Sequence, residues 1–265
     1  MNNTNIFDKD LNPLLDIVES EDLEPLVGYL KNKLSESLTV SDAYKKYSPD
    51  HHQYADLIAK EIRDFGGNSF ANLFRGEGPE YREIVEDVAK KLKVNFNNGN
   101  DIEALENKIF EKILETALEK MSDEEKAALG EELGMKHGAA GKGGFTTSAF
   151  IYLFKAGGFK SYQITLIIAN YIAKLILGHG LRLGTNAAIA RTASILTGPI
   201  GWAITGIWTA VDLAGPSYKT TIPCVIHVAM LRKKYNSLQC TNDECGAVLT
   251  DTTTKFCPEC GTKVA

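Results

Sequence analysis

The sequence predicts an all-α protein, a multi-helix body that carries a small C-terminal β-hairpin zinc ribbon. Three observations predict this fold class: apolar residues recur at helical spacing, a long segment is rich in glycine and lacks carboxylates, and four of the five cysteines fall in the last 26 residues. The chain has 265 residues, of which 44% are hydrophobic and 24% charged. This composition is typical of a globular protein and excludes a disordered chain.

Charge divides the chain into three predicted domains. Residues 1–136 carry 17 basic and 29 acidic side chains, residues 137–238 carry 10 and 1, and residues 239–265 carry 2 and 4, which together give the net charge of −5. We interpret them as an acidic helical domain, a basic glycine-rich apolar helical domain and a zinc ribbon. The overall acidity argues against a nucleic-acid binder.

In the acidic domain, apolar residues recur every three or four positions in five segments. Each segment opens with serine, aspartate or proline, which are the residues that favour the first turn of a helix. Ser122 and Glu125 also have the spacing of a capping box. The predicted helix starts are Ser20, Ser48-Pro49, Pro79, Asp101 and Ser122.

In the basic domain, residues 137–211 contain no aspartate or glutamate. Two apolar runs, 161–178 and 192–211, are interpreted as helices that form the core of a soluble domain. Two alternatives stay open: a hairpin of residues 161–211 that associates with or inserts into anionic membranes, and constitutive membrane spans. Docking against the acidic domain would use the same positive charges and is the simpler explanation. The predicted membrane or partner contacts are Lys155, Lys160, Lys174, Arg182, Arg191, Trp202 and Trp208.

The sequence shows no catalytic constellation. The glycine-rich run around Lys142 lacks the spacing of a phosphate-binding loop, because Gly143 stands where a serine or threonine is needed. A hydrolytic hypothesis would require His179, His227 and Asp212 to meet in space. Core or turn positions explain the two histidines better, and Cys224 has no evident partner. We therefore predict that the protein is not an enzyme.

The four C-terminal cysteines have the spacing of a metal site. Cys240 and Cys245 form one pair, Cys257 and Cys260 the second, and a glycine follows each pair. Four thiolates favour a closed tetrahedral site, so we expect structural Zn²⁺, with an iron site or a disulfide as alternatives. A short hairpin, Val248-Leu249 with Lys255-Phe256, is predicted between the pairs. A segment this small should fold only with metal bound and is expected to make protein contacts.

A family resemblance extends over roughly residues 5 to 235. The run Phe65-Gly-Gly-Asn-Ser-Phe-Ala-Asn-Leu-Phe-Arg75 and the later run Gly215-Pro-Ser-Tyr-Lys-Thr-Thr-Ile-Pro223 resemble the YaaW family of bacterial proteins, which is grouped with ubiquinol–cytochrome c chaperones. The resemblance implies an all-α, non-enzymatic protein of chaperone type and supplies no catalytic residues. The zinc ribbon lies outside the shared region and looks like an appended module.

We therefore predict a chaperone-like or assembly-type binding protein with a structural zinc ribbon for protein contacts. Its expected partner is a protein client, with an anionic membrane surface as a further contact. The first 30 residues contain no secretory signal pattern, so we expect a cytoplasmic protein, with peripheral membrane association. The alternative is a membrane-perturbing or pore-forming effector that inserts the 161–211 hairpin.

Overall fold

The predicted all-α class is confirmed by a computed structural model of the chain. The described residues are 7–31, 37–66, 78–97, 99–135, 145–181, 201, 204–206, 218–236, 238–240, 242, 245, 248–249, 255–257 and 260–263. The helices are α1 (Asn12–Leu15), α2 (Ser20–Lys31), α3 (Ser37–Val40), α4 (Asp42–Tyr47), α5 (Ala55–Gly66), α6 (Tyr81–Lys91), α7 (Ile102–Glu119), α8 (Asp123–Glu132), α9 (Thr147–Lys155), α10 (Gly158–Leu177) and α11 (Tyr218–Tyr235).

Helix starts follow local capping chemistry where the side chain is free to turn back. Asp101 accepts a hydrogen bond from the Ala104 amide at the start of α7, and Ser122 forms the predicted capping box with Glu125 at the start of α8. Ser20 behaves differently from the prediction, because its hydroxyl accepts the His51 amide at 2.7 Å instead of capping α2. Ser20 therefore makes a tertiary hydrogen bond and does not cap α2.

The helix predicted from Ser48-Pro49 begins later than the sequence indicates. Residues His51–Tyr54 form a 3₁₀ turn, and α5 starts only at Ala55 and ends, as predicted, at Gly66. In the turn, His51 Nδ1 and the Tyr54 hydroxyl are hydrogen-bonded, which favours the tighter winding.

Helices α10 and α11 occupy the centre of the fold. The two helices pack on each other, and α11 also contacts α2, α5, α6 and α7. Residues 161–170 and 220–232 are buried throughout. A single apolar cluster runs from Leu11 to Leu231 and so includes side chains of both the acidic and the basic segments. The apolar run 161–178 is therefore core in this structure.

Three consecutive basic residues in the last turn of α11 contact different neighbouring helices. Arg232 Nε donates to Glu106 Oε2 of α7 at 2.8 Å, and Lys234 Nζ lies 2.5 Å from Asp22 Oδ2 of α2. Lys233, between them, reaches α7 and α10. Positive charge of the basic segment thus meets carboxylates of the acidic segment inside the protein.

Glu106, like Asp22, is a buried carboxylate. Besides Arg232 it accepts a hydrogen bond from the Tyr81 hydroxyl at 2.9 Å. Burial raises the pKa of Glu106 to about 7, against the opposing effect of the Arg232 guanidinium. A buried pair of this kind holds α7 and α11 in one register, because either charge alone would be strongly destabilising there.

Among the described residues, no helix is both long enough and apolar enough to cross a bilayer. The second predicted apolar run, 192–211, lies mostly outside the described residues.

Candidate metal centre

The C-terminal segment turns back on itself at each cysteine pair. Strand β1 (Leu238–Gln239) pairs antiparallel with β2 (Val248–Leu249), so the chain reverses across Cys240 and Cys245. Phe256 forms an isolated antiparallel bridge with Lys263, which places a second reversal across Cys257 and Cys260.

This described pairing differs from the predicted one, in which Val248-Leu249 would pair with Lys255-Phe256. In the described pairing, each cysteine turn brings together the residues that flank it, Leu238-Gln239 with Val248-Leu249 and Phe256 with Lys263. Strand β2 also lies against α10 of the helical body. The cysteine segment is therefore in contact with the central apolar helix.

Backbone hydrogen bonds shape the second turn. The Cys257 amide donates to the Thr262 carbonyl at 2.7 Å, and the Gly261 amide donates to the Cys257 carbonyl at 2.8 Å. Gly261 has φ of +72°, a left-handed conformation that residues with a Cβ rarely adopt. The glycine after this cysteine pair has the turning role that the sequence predicts.

The four predicted ligands converge. The sulfur atoms of Cys240, Cys245, Cys257 and Cys260 all lie within 4.8 Å of one another. Cys240 and Cys260 are 3.5 Å apart, and Cys245 and Cys257 are 3.7 Å apart, measured between Sγ atoms. Neighbouring sulfurs in a tetrahedral Zn site with bonds of 2.3 Å would be about 3.8 Å apart. These distances exceed a disulfide bond of about 2.05 Å. The cluster could bind a metal ion.

Hydrogen bonding prepares one of the thiols for ligation. Thr262 Oγ1 lies 3.2 Å from Cys260 Sγ, and the side chain and backbone of Thr262 together lower the pKa of the Cys260 thiol to about 6. A thiolate is the form that binds metal. Burial acts the other way on Cys240, whose pKa is raised. The Asn242 amide also points at Cys240 Sγ, at 3.5 Å.

The predicted basic contact residues are dispersed. Lys155 pairs with Glu111 of α7 at 2.7 Å, Lys160 is half-buried beside Gly134, and Lys174 is exposed on α10. The remaining candidates, Arg182, Arg191, Trp202 and Trp208, lie outside the described residues.

The two described residues of the hydrolytic hypothesis, His227 and His179, have separate environments. His227 is fully buried in α11, with Nε2 at 2.8 Å from the Asp22 carbonyl, and burial lowers its pKa to about 4. His179 is exposed beyond the end of α10, and Asp212 lies outside the described residues. Burial also raises the pKa of the Cys224 thiol, which makes it a poor nucleophile.

Sequence reasoning missed the polar contacts at the end of α11. The partners Glu106 and Arg232 are 126 residues apart, as are Asn107 and Lys233. The only sequence signal was the run of basic residues Arg232-Lys-Lys234 at the end of an apolar helix, which is also ordinary for a helix C-terminus.

Fold and site together define an all-α protein with a four-cysteine cluster near one end of the chain. The family model described as "Ubiquinol-cytochrome C chaperone" matches residues 50–227. The chain belongs to this family, as the resemblance predicts. Cys240 to Cys260 lie outside the matched residues.

Relatives of the chain are described as UPF0174 proteins. A UPF0174 protein of Helicobacter pylori strain J99 is 46% identical over 234 residues, covering 86% of this chain and 92% of the relative. The UPF0174 protein YaaW of Escherichia coli O157:H7 is 31% identical over 219 residues, covering 79% and 85%. No solved structure matches the chain.

Proposed function

We propose that the protein is a non-enzymatic, chaperone-type binding protein that acts on a protein client and carries a structural zinc ribbon for protein contacts. The convergence of four sulfurs within 4.8 Å carries the zinc part of the proposal. The family description supports the chaperone part. Four thiolates at tetrahedral spacing suit Zn²⁺, and they leave no open position for a substrate, so the role that we propose for the metal is structural.

The contact surface that we propose is the second cysteine turn. Phe256 is 59% exposed, and Lys255 beside it is also exposed. An exposed aromatic ring next to a flexible cation is suited to a protein partner that offers apolar and acidic groups. The metal would fix this turn, so that the ring is presented in one orientation.

The compartment and the membrane contact that we propose follow from other features of the chain. Thiols that must remain reduced to bind metal suit the cytoplasm, which is where we expect the protein to act. We do not extend the proposal to membrane insertion, because the described part of the 161–211 segment is packed against α2, α9 and α11. Peripheral contact through the exposed Lys174 stays a proposal that vesicle flotation would test.

Zinc content is the first measurement. The purified full chain, prepared without chelators, should contain close to one zinc per chain by mass spectrometry, and Cys257→Ser should lose most of it. Cys224→Ser is the matched control, because Cys224 is a buried residue of α11 and is not part of the cysteine cluster. Iron in place of zinc, or a chain without metal and with oxidised cysteines, would contradict the zinc assignment.

Client binding is the second measurement. The zinc-loaded protein should suppress aggregation of a heat-denatured reporter enzyme, and Phe256→Ser should weaken this suppression. Tyr152→Ser is the control, since Tyr152 on α9 is an aromatic residue that is even more exposed than Phe256. Equal losses in both variants would show that the second cysteine turn is not the contact surface. No suppression by the wild-type chain would contradict the chaperone proposal itself.

A further inference from the structure

A groove of about 420 Å³ lies at the surface where α7, α10 and α11 meet the end of α9. Its volume is in the range of small-molecule sites in proteins. It is separate from the cysteine cluster, and no residue of that cluster lines it. Charged, polar and apolar side chains line it, among them Glu103, Ala104, Asn107, Phe154, Ser161 and Lys233.

Lys233 is the central side chain of the groove. Its ammonium donates to Asn107 Oδ1 of α7 at 3.1 Å and to Ser161 Oγ of α10 at 2.8 Å. The same nitrogen lies 4.5 Å from the centre of the Phe154 ring. Three neighbouring helices therefore hold one cation at a fixed point against two neutral oxygens and an aromatic face, and the carboxylate of Glu103, which also lines the groove, acts on it electrostatically.

Partial burial strengthens the interaction of the Lys233 ammonium with an anion. Burial lowers the pKa of Lys233 to about 8, so the ammonium form still predominates at pH 7. A partly desolvated cation interacts more strongly with an incoming anion than an exposed lysine does, because less water screens it. Lys233 is thus a fixed anchor for negative charge beside an open groove.

The other charged side chains of the groove indicate how much negative charge a ligand should carry. Lys108 and Lys155 add two cations, and Glu103 and Glu111 add two carboxylates, so the lining carries one net positive charge. Glu111 is already paired with Lys155 at 2.7 Å. A singly charged carboxylate matches this balance, whereas the two glutamates would repel a phosphate dianion.

Apolar surface defines the rest of the ligand. Ala104, which is half-buried, and the small exposed part of Phe154 lie beside the charged groups in the same groove. We propose that the groove binds an organic monocarboxylate with a short apolar body, its carboxylate at Lys233 and its carbon chain against Ala104 and Phe154. Such a group could come from a free short-chain acid or from the C-terminal carboxylate of a bound peptide.

The test uses hexanoate as the probe and the zinc-loaded full chain as the protein. We expect saturable binding by calorimetry, with hexanamide and inorganic phosphate each about tenfold weaker or more, because each loses the matched charge interaction. A short apolar peptide with a free C-terminus, compared with its amidated form, distinguishes the two sources of the carboxylate. Tighter binding of the free peptide than of hexanoate would identify a peptide site.

Variants assign the binding to the groove. Lys233→Met should weaken hexanoate about tenfold or more, and Ala104→Leu should weaken it by filling the groove without changing charge. Lys174→Met is the control, since Lys174 is exposed on α10 and does not line the groove. Cys257→Ser should bind hexanoate as the wild type does, which separates this proposal from the zinc proposal.

Three results would overturn the assignment. They are wild-type affinity in both Lys233→Met and Ala104→Leu, phosphate binding as tight as hexanoate, and absence of hexanoate and peptide binding at millimolar concentrations. If Lys233→Met fails to fold by circular dichroism, Ala104→Leu and Ser161→Ala decide the question. Ser161→Ala removes one of the two hydrogen-bond acceptors that position the ammonium.

Discussion

The helical body and the cysteine segment of this protein hold their shapes by different means. In the body, side chains from Leu11 to Leu231 form one apolar cluster, and α11 is buried over most of its length. In the cysteine segment, Phe256 and Cys260 are exposed, and the close approach of four sulfurs is the main organising feature. Hydrophobic burial can therefore sustain the body, whereas the cysteine segment would depend on the metal that we propose for it.

The same comparison separates two uses of charge. The body places Arg232 and Lys234 against carboxylates of α7 and α2, where little water competes. The pair of exposed Lys155 and half-buried Glu111 contributes less, because solvent partly screens it. Changes in the body should therefore alter global stability, whereas changes in the cysteine segment should alter metal content alone.

The largest effect is expected from Arg232→Met. The substitution leaves Glu106 buried without its cation, and the free energy of unfolding should fall by about 3–5 kcal/mol. Urea unfolding followed by circular dichroism at 222 nm measures this loss, and zinc content per folded chain should stay unchanged. Lys155→Met, which breaks a partly exposed pair, should cost less than about 1 kcal/mol. Equal costs for the two variants would show that burial does not separate these ion pairs.

A somewhat smaller effect is expected from the titration of His227. Its pKa is lowered to about 4 in the folded chain, while the unfolded chain has a value near 6.5, so the unfolded state binds the extra proton between these values. Stability is therefore fully present above about pH 6.5 and is lost as pH falls toward 4, by roughly 3 kcal/mol from this group.

Comparison with His227→Gln isolates this contribution. Glutamine retains a donor for the Asp22 carbonyl but does not titrate, so its stability should decline less between pH 6.5 and 4.5. Chemical unfolding at several pH values measures the two slopes. His52→Gln serves as the control because His52 is exposed. Parallel slopes for wild type and His227→Gln would mean that the buried ring is not the group responsible.

The smallest effect on the body is expected from Cys257→Ser. This variant should lose metal and the turn around Cys257, while the free energy of unfolding of the helices changes by less than about 0.5 kcal/mol. Circular dichroism and zinc analysis on the same sample measure both quantities. A clear loss of helix stability would show that contact between β2 and α10 supports the body, and the comparison between the two regions would need revision.

Local patterns determined much of this protein in advance. Helical periodicity, the caps at Asp101 and Ser122, and the cysteine spacing specified the helical class, several helix starts and the cysteine cluster, because each depends on residues within a few positions of one another. The sequence also suggested that the basic segment docks on the acidic one. It could not indicate which charges would meet.

Tertiary structure decided the features that depend on distant residues. Ser20 bonds His51 instead of capping its helix, Arg232 meets Glu106 across 126 positions, and Lys233 contacts Asn107 and Ser161 on two other helices. Helix caps depend on residues within one turn of each other. The contacts named here form only after packing has brought separate helices together, so no local sequence pattern predicts them.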